Sequence, residues 1–293
     1  MSVSVSVPNQ IYTSGGSSRV DPEVIEPIFV RGDCLFFMII CNISCMAQLE
    51  ILTNATDISL IDPSLIEGFP GIGLVGKIAA DHLVAEFEMT HYADVHCETI
   101  PAVAVYQEDD PALRSPVRLY VDVDRDLAVL QSDVPISPEA ATEVATCLSE
   151  FIDETAMTPI YLSGIPKEKT ETVPSLYGFG VSEGVNQVQK ADIALPDETG
   201  LISGPTGALL SDAVMSDRDA IGLVVESDPQ FPDPEAARVL INRGIEPLTS
   251  IDVPVNDLVD RTEQIREAKE RLAKQMQEGG EESTQARPIG MYQ

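Results

Sequence analysis

The stretch Phe69-Pro70-Gly71-Ile72-Gly73-Leu74-Val75-Gly76-Lys77 has residue types and spacing that match known phosphate chemistry. Gly71, Gly73 and Gly76 fit G-x-G-x-x-G, a turn that brings backbone N–H groups against a dinucleotide pyrophosphate. Gly71, Gly76 and Lys77 also fit the first part of G-x-x-x-x-G-K, in which the lysine reaches the phosphates of a nucleoside triphosphate. Each pattern lacks its second half. Ile78 stands where Ser or Thr must hold Mg2+, and no apolar strand ending in Asp stands out downstream. Asp94 and Glu98 lie at the distance of a ribose-binding acid, but the strand around them is weak. A reading without ligand is simpler: glycines permit a tight strand-to-helix turn and close helix–sheet packing. Gly204-Pro205-Thr206-Gly207 is a second small-residue turn before an expected helix and reads the same way.

Other reactive side chains are sparse. His82, His91 and His96 are the only histidines, and no carboxylate or cysteine is placed to complete a triad or a ligand set. Hydrolase nucleophile motifs such as G-x-S-x-G are read as absent. Catalytic residues, metal ligands and cofactors are therefore all read as none. The five cysteines (Cys34, Cys41, Cys45, Cys97, Cys147) are odd in number in a long chain, which argues against a disulfide framework. Cys34 and Cys41-x-x-x-Cys45 have no following pair at zinc spacing.

The elements that must position these residues alternate between strand and helix. Leu60–Phe69 is expected as strand and Leu74–Phe87 as helix, its apolar residues recurring at helical period. Tyr92–Cys97 and Ala102–Tyr106 are expected as strands, with Glu108-Asp109-Asp110 a solvated loop. Val117–Val123 and Leu127–Gln131 form a hairpin about Asp124-Arg125-Asp126. Ser137-Pro138-Glu139 opens a helix to about Thr155, with the cap, N1 proline and first-turn acid that helices favour. Ile160–Ser163, Leu176–Val181 and Ile221–Glu226 are short strands; Ala208–Val214 and Pro234–Asn242 are helices, the latter stopped by Gly244. This alternation predicts a three-layer α/β/α sandwich on a mixed sheet, with one domain over 46–254. Asn256–Gln277 is expected as a C-terminal helix (domain segment 255–277), and 278–293 as a flexible tail rich in Gly, acids, Ser and Thr.

Composition excludes some functions. The chain has 48 Asp and Glu against 18 Lys and Arg, a formal net charge of -30. It has no basic footprint for nucleic acid and is repelled by anionic membranes. The acids are spread along the chain, as on a solvated shell suited to high salt. Residues 1–45 differ in character from the rest of the chain. Their apolar run Cys34–Cys45 is too short to span a membrane and sits behind acids where a signal peptide needs positive charge. Residues 1–45 are thus expected to be a disordered extension or a mis-assigned start, with Met46 the natural one. The remainder is expected in the cytoplasm.

The carboxyl-terminal Met291-Tyr292-Gln293 is hydrophobic–tyrosine–any residue on a chain poor in aromatics. Glu67–Lys77, Ile100-Pro-Ala-Val-Ala-Val105, Leu162-Ser-Gly164 and Gly204-Pro-Thr-Gly-Ala-Leu209 together resemble the proteasome assembly chaperone family, archaeal branch, over about Leu49 to Met276. Gly68, Phe69, Pro70, Gly71, Gly73, Gly76 and Lys77 carry its opening signature. The resemblance implies a core similar to nucleoside phosphorylases, no chemistry, and self-association into a homo-oligomer. It further implies that Met291, Tyr292 and Gln293 dock on the α-subunits of the core proteasome. A nucleotide-dependent enzyme using Gly71–Lys77, and an oligomeric scaffold with no proteasome link, stay open as alternatives.

Overall fold

The computed structural model describes residues 47–258, apart from 53–57, 59, 108–109, 168–172 and 231. The expectations for residues 1–45, for the tail 278–293 with Met291, Tyr292 and Gln293, and for most of the C-terminal helix lie outside the described residues. Of that helix, residues 256–258 are helical and Leu258 is buried.

The strands are β1 (Ala47–Ile51), β2 (Ser64–Gly68), β3 (Thr90–Cys97), β4 (Val105–Gln107), β5 (Asp110–Arg114), β6 (Val117–Asp122), β7 (Leu127–Ser132), β8 (Thr158–Pro166), β9 (Leu176–Val181) and β10 (Ala220–Ser227). The helices are α1 (Val75–Glu86), α2 (Pro138–Thr155), α3 (Glu183–Lys190), α4 (Gly204–Ser216), α5 (Pro234–Leu240) and α6 (Glu246–Thr249). Eight strands form one mixed sheet in the order β1-β3-β6-β7-β2-β8-β10-β9. Its centre, β7-β2-β8-β10, is parallel, and antiparallel strands flank it on both sides. Central parallel strands are covered on both faces, so they must be apolar at nearly every position. Leu127–Ser132 is buried throughout, as is Ala220–Val225.

Alternate side chains of each strand enter two cores. Ile66, Val129, Ile160 and Leu223 pack under α1, α3 and α5. Leu65, Leu119, Leu130 and Tyr161 pack under α2 and α4. The result is the expected mixed sheet between two helical layers. Ser137 caps α2 by accepting from the Ala140 amide, and Pro138 stands at its first position, as its sequence predicts.

Several boundaries differ from expectation. Residues 101–104 are exposed coil, and among the described residues β4 pairs only with β5; Asp110 opens β5, while Glu108 and Asp109 of the expected loop lie outside the described residues. The apolar run there is not core. Gly204–Gly207 is not a turn before α4 but its first turn, with Pro205 among the leading positions where its missing N–H is harmless. Gly244 does not end a helix at Asn242. A π-turn over Ile241–Ile245 carries α5 into α6. Helix α3 was not expected; its eight residues bury only Gly184 and Val188, so their apolar period is too sparse to read.

Candidate functional site

At the carboxyl end of β2 the chain turns through Phe69-Pro70-Gly71 and a single 3-10 turn, Ile72–Leu74, into α1. Gly73 has φ +62°, a left-handed conformation that L side chains rarely adopt, and a Cβ there would also overlap the Ser227 side chain. Gly68 is required for proximity instead: a Cβ there would overlap Ala80 and stand 2.8 Å from the Gly76 carbonyl oxygen. The signature glycines thus seat α1 against β2. Gly68→Ala is expected to destabilise the fold by about 1–3 kcal/mol, the usual cost of overpacking, measurable by urea unfolding.

Lys77 does not face an open phosphate cradle. Its Nζ lies 2.9 Å from Asp81 and 2.9 Å from Asp133. Arg118 donates to Asp133 at 2.6 Å, to Gln131 at 3.2 Å and to the Tyr120 hydroxyl at 2.9 Å, and its side chain is 1% exposed. Gln131 in turn donates to Asp81. Burial pushes the Asp81 carboxyl up, only partly countered by Lys77. Burial also pushes Asp133 up, but Lys77 and Arg118 outweigh it and leave that carboxyl below its usual range. Two cations and two carboxylates therefore satisfy one another.

This cluster occupies the place where α/β sheets bind ligands. Helix α1, after β2, and helix α2, after the neighbouring β7, cover opposite faces. The carboxyl ends of β2 and β7 are thus the topological switch point. The expectation that no apolar strand ends in Asp is corrected by the structure, because β7 (LAVLQS) runs straight into Asp133 beside β2. The apolar run was legible; that it neighbours β2 was not.

On the opposite face Glu67 is fully buried. It accepts from the Phe69 amide at 2.7 Å and from the Thr206 hydroxyl at 3.0 Å. Burial raises its pKa to about 7 despite those bonds. Tyr161, its neighbour on β8, is buried with no hydrogen-bond partner for its hydroxyl among the described residues, and burial with the nearby Glu67 pushes that phenol up. The structure thus brings together Glu67–Lys77, Leu162–Gly164 and Gly204–Gly207, three segments far apart in sequence. Gly164 meets Ile72, whose carbonyl oxygen would stand 2.6 Å from a Cβ there. Ile100–Val105 is not part of this meeting point.

A second motif was missed in sequence. Gly180-Val181-Ser182-Glu183-Gly184 is G-x-S-x-G, the nucleophile turn of many hydrolases. It joins β9 to α3, and Ser182 has the strained backbone of such a turn, φ 50° and ψ -122°. The partners are wrong for acyl transfer. Ser182 donates to Asp217 at 2.5 Å, and the Glu183 amide, the expected oxyanion donor, already donates to Asp219 at 3.0 Å. All three histidines are engaged elsewhere: His82 with the Pro254 carbonyl, His91 with Asp94 and His96 with Glu50. The turn locks the 217–219 loop onto β9. Among the described residues no cluster of acids, histidines and cysteines is disposed to hold a metal, and no helix is long and apolar enough to cross a membrane.

Comparison with known proteins agrees with this architecture. The structure resembles Pyrococcus furiosus PbaA, described as an archaeal homolog of proteasome-assembly chaperone. The TM-score is 0.69 and the identity 25%, covering 79% of this chain and 93% of that one. Pyrococcus furiosus PbaB, described as an archaeal proteasome activator, shares the fold with TM-score 0.64 at 22% identity, over 78% of this chain and 98% of PbaB. An uncharacterized protein of Methanocaldococcus jannaschii is 27% identical over 215 residues, 73% of this chain and 87% of the relative. The sequence profile of the PAC2 family matches residues 65–273, from the core of β2 past the last described helical residues. The Gly68–Lys77 turn, the switch-point cluster and the Glu67–Thr206 contact are therefore features of a chain that belongs to the PAC2 family.

Proposed function

We propose that this chain is a proteasome assembly chaperone or activator that acts by binding the α-ring of the core proteasome. The observation that carries the reading is the match to the PAC2 family over 65–273, together with likeness to PbaA over most of both chains. The pairing of Lys77 with two carboxylates supports a role without phosphate chemistry, since the motif's one cation has its charge already matched. Met291-Tyr292-Gln293 is the docking element. Its terminal carboxylate pairs with a pocket lysine between adjacent α-subunits, a charge-assisted contact. Tyr292 packs at the pore rim and Met291 fills an apolar niche. One such segment binds weakly because docking must order it. Several on one homo-oligomer meeting a ring of identical pockets gain avidity.

The test is peptide hydrolysis by core proteasome from the same cell, with the full chain and with a chain lacking Met291–Gln293. Stimulation that vanishes with the three residues is the expected result. Stimulation unaffected by their removal would overturn docking through this segment; neither stimulation nor co-sedimentation would overturn the proteasome reading itself.

A further inference from the structure

Glu67 and Tyr161 stand side by side on β2 and β8, under α2 and α4. Both are buried, Glu67 at 0% exposure and Tyr161 at 1%. The donors to Glu67, the Phe69 amide and the Thr206 hydroxyl, are neutral. The Tyr161 hydroxyl has no hydrogen-bond partner among the described residues. A buried carboxyl facing neutral donors and a buried hydroxyl without a partner both gain when water reaches them. The charged groups of the covering helices are committed to one another. Arg218, just past α4, donates to Asp212 of α4 and to Asp153 of α2, and Ser149 of α2 also donates to Asp212. Lys77, Asp81, Asp133 and Arg118 lie on the opposite face of the sheet.

The first turn of α4 is the weakly held part of this cover. The far end of the helix is tied to α2 through Ser149–Asp212 at 2.6 Å and Arg218–Asp153 at 2.6 Å. At the near end Ser203 makes no side-chain capping bond, residues 203 and 204 are exposed, and Leu201 before them is fully exposed. The side-chain bond that seats this turn is the one from Thr206 to Glu67 itself.

We infer that the first turn of α4 is a proton-controlled lid over Glu67 and Tyr161, closed while Glu67 is protonated and opened to water as Glu67 ionises. Under the closed lid the acid titrates at about 7; once water reaches it, it titrates near its ordinary 4.5. The open form therefore releases its proton first. Opening grows easier as pH rises from 4.5 to about 7, and then levels off. The Tyr161 hydroxyl favours opening at every pH, because it finds a partner only when water enters. The lid joins two of the signature segments, Glu67–Lys77 and Gly204–Gly207, so the proton state of one side chain sets how firmly they hold together near neutral pH.

The test is hydrogen exchange of the full chain and of two variants, Glu67→Gln and Tyr161→Phe, at pH 5.5 and 8, with and without low urea. The informative amides are those of 208–210, which donate to the carbonyls of the first turn; residues 221–225 of β10 report global unfolding. Protection is compared after correction for the intrinsic pH dependence of exchange. Protection of 208–210 is expected to lie below that of 221–225, to fall at least about 10-fold from pH 5.5 to 8, and to be insensitive to low urea, as a local opening is. Glu67→Gln is expected to abolish the fall. Tyr161→Phe is expected to raise protection about 5-fold or more at both pH values while keeping the fall. Exchange of 208–210 at the rate and urea dependence of 221–225 would overturn the inference in favour of global unfolding alone. A fall that persists in Glu67→Gln would overturn control by this acid, and unchanged protection in Tyr161→Phe would overturn the part given to the hydroxyl.

Discussion

Replacing Arg118 with methionine is expected to destabilise the protein by about 3–5 kcal/mol, the usual cost of removing one partner from a buried ionic network. Arg118 is among the largest fully buried side chains, and four groups accept from it: Asp133, Gln131, the Tyr120 hydroxyl and the Ser115 carbonyl. Methionine fills much of the volume but leaves Asp133 with Lys77 alone and Gln131 short of a donor. Urea unfolding at fixed salt measures the effect as a shift in midpoint. The double variant Arg118→Met/Asp133→Leu is expected to recover part of the loss, because a buried charge without partner is worse than none. A loss below about 1 kcal/mol would show that water replaces the guanidinium and that the cluster is solvated. The pH dependence has two opposing parts. Asp133 is held below its ordinary value of 3.8, so its contribution is present above that pH and fades only as pH falls further. Asp81 is raised above 3.8, so its ionisation weakens the fold as pH climbs past that value.

Glu67 provides the second large effect. Its folded pKa is about 7 against 4.5 in the unfolded chain. Below 4.5 it is protonated in both states. Between 4.5 and about 7 the unfolded chain ionises while the folded one does not, so stability falls as pH rises through that window, then levels off. The total is roughly 3 kcal/mol at 1.36 kcal/mol per pKa unit. Glutamine retains an oxygen for the Phe69 amide and places an N–H against the Thr206 hydroxyl, so Glu67→Gln removes this decline while keeping the contacts. Since a chain of net charge -30 also repels itself more strongly as pH rises, the readout is the difference between parent and variant across pH 4–8. Parallel stability curves for the two proteins would mean that Glu67 is hydrated and ionised in the fold.

Neither of these effects was legible in the sequence. Glu67 reads as a residue at the end of an apolar strand, and Arg118 as an ordinary polar position in a hairpin. Each becomes consequential only because a distant element covers it: α4 for Glu67, and β7 with α1 for Arg118. Ser182 is the converse. Its G-x-S-x-G motif is plain in the sequence, yet tertiary structure supplies carboxylates where a base and an open oxyanion site would be needed. Ala102–Tyr106 misled for a related reason. An apolar run carries the same pattern whether or not a layer of the fold covers it, and residues 101–104 and Tyr106 are left exposed.

Local physics determined much of this protein. Apolar period and capping residues specified β2, α1, the β6–β7 hairpin, α2 and β9 within a few residues, and β–α alternation specified a mixed sheet between helical layers. These features depend on neighbours a few positions away, whose energetics the sequence displays directly. Strand order was decided only in three dimensions. It placed Asp133 beside Lys77 and Thr206 above Glu67 across separations of 56 and 139 residues, turning a phosphate-like glycine loop into a packed, charge-neutral joint. Pairings over such distances arise from the burial of whole sheet faces, which no local window of sequence contains.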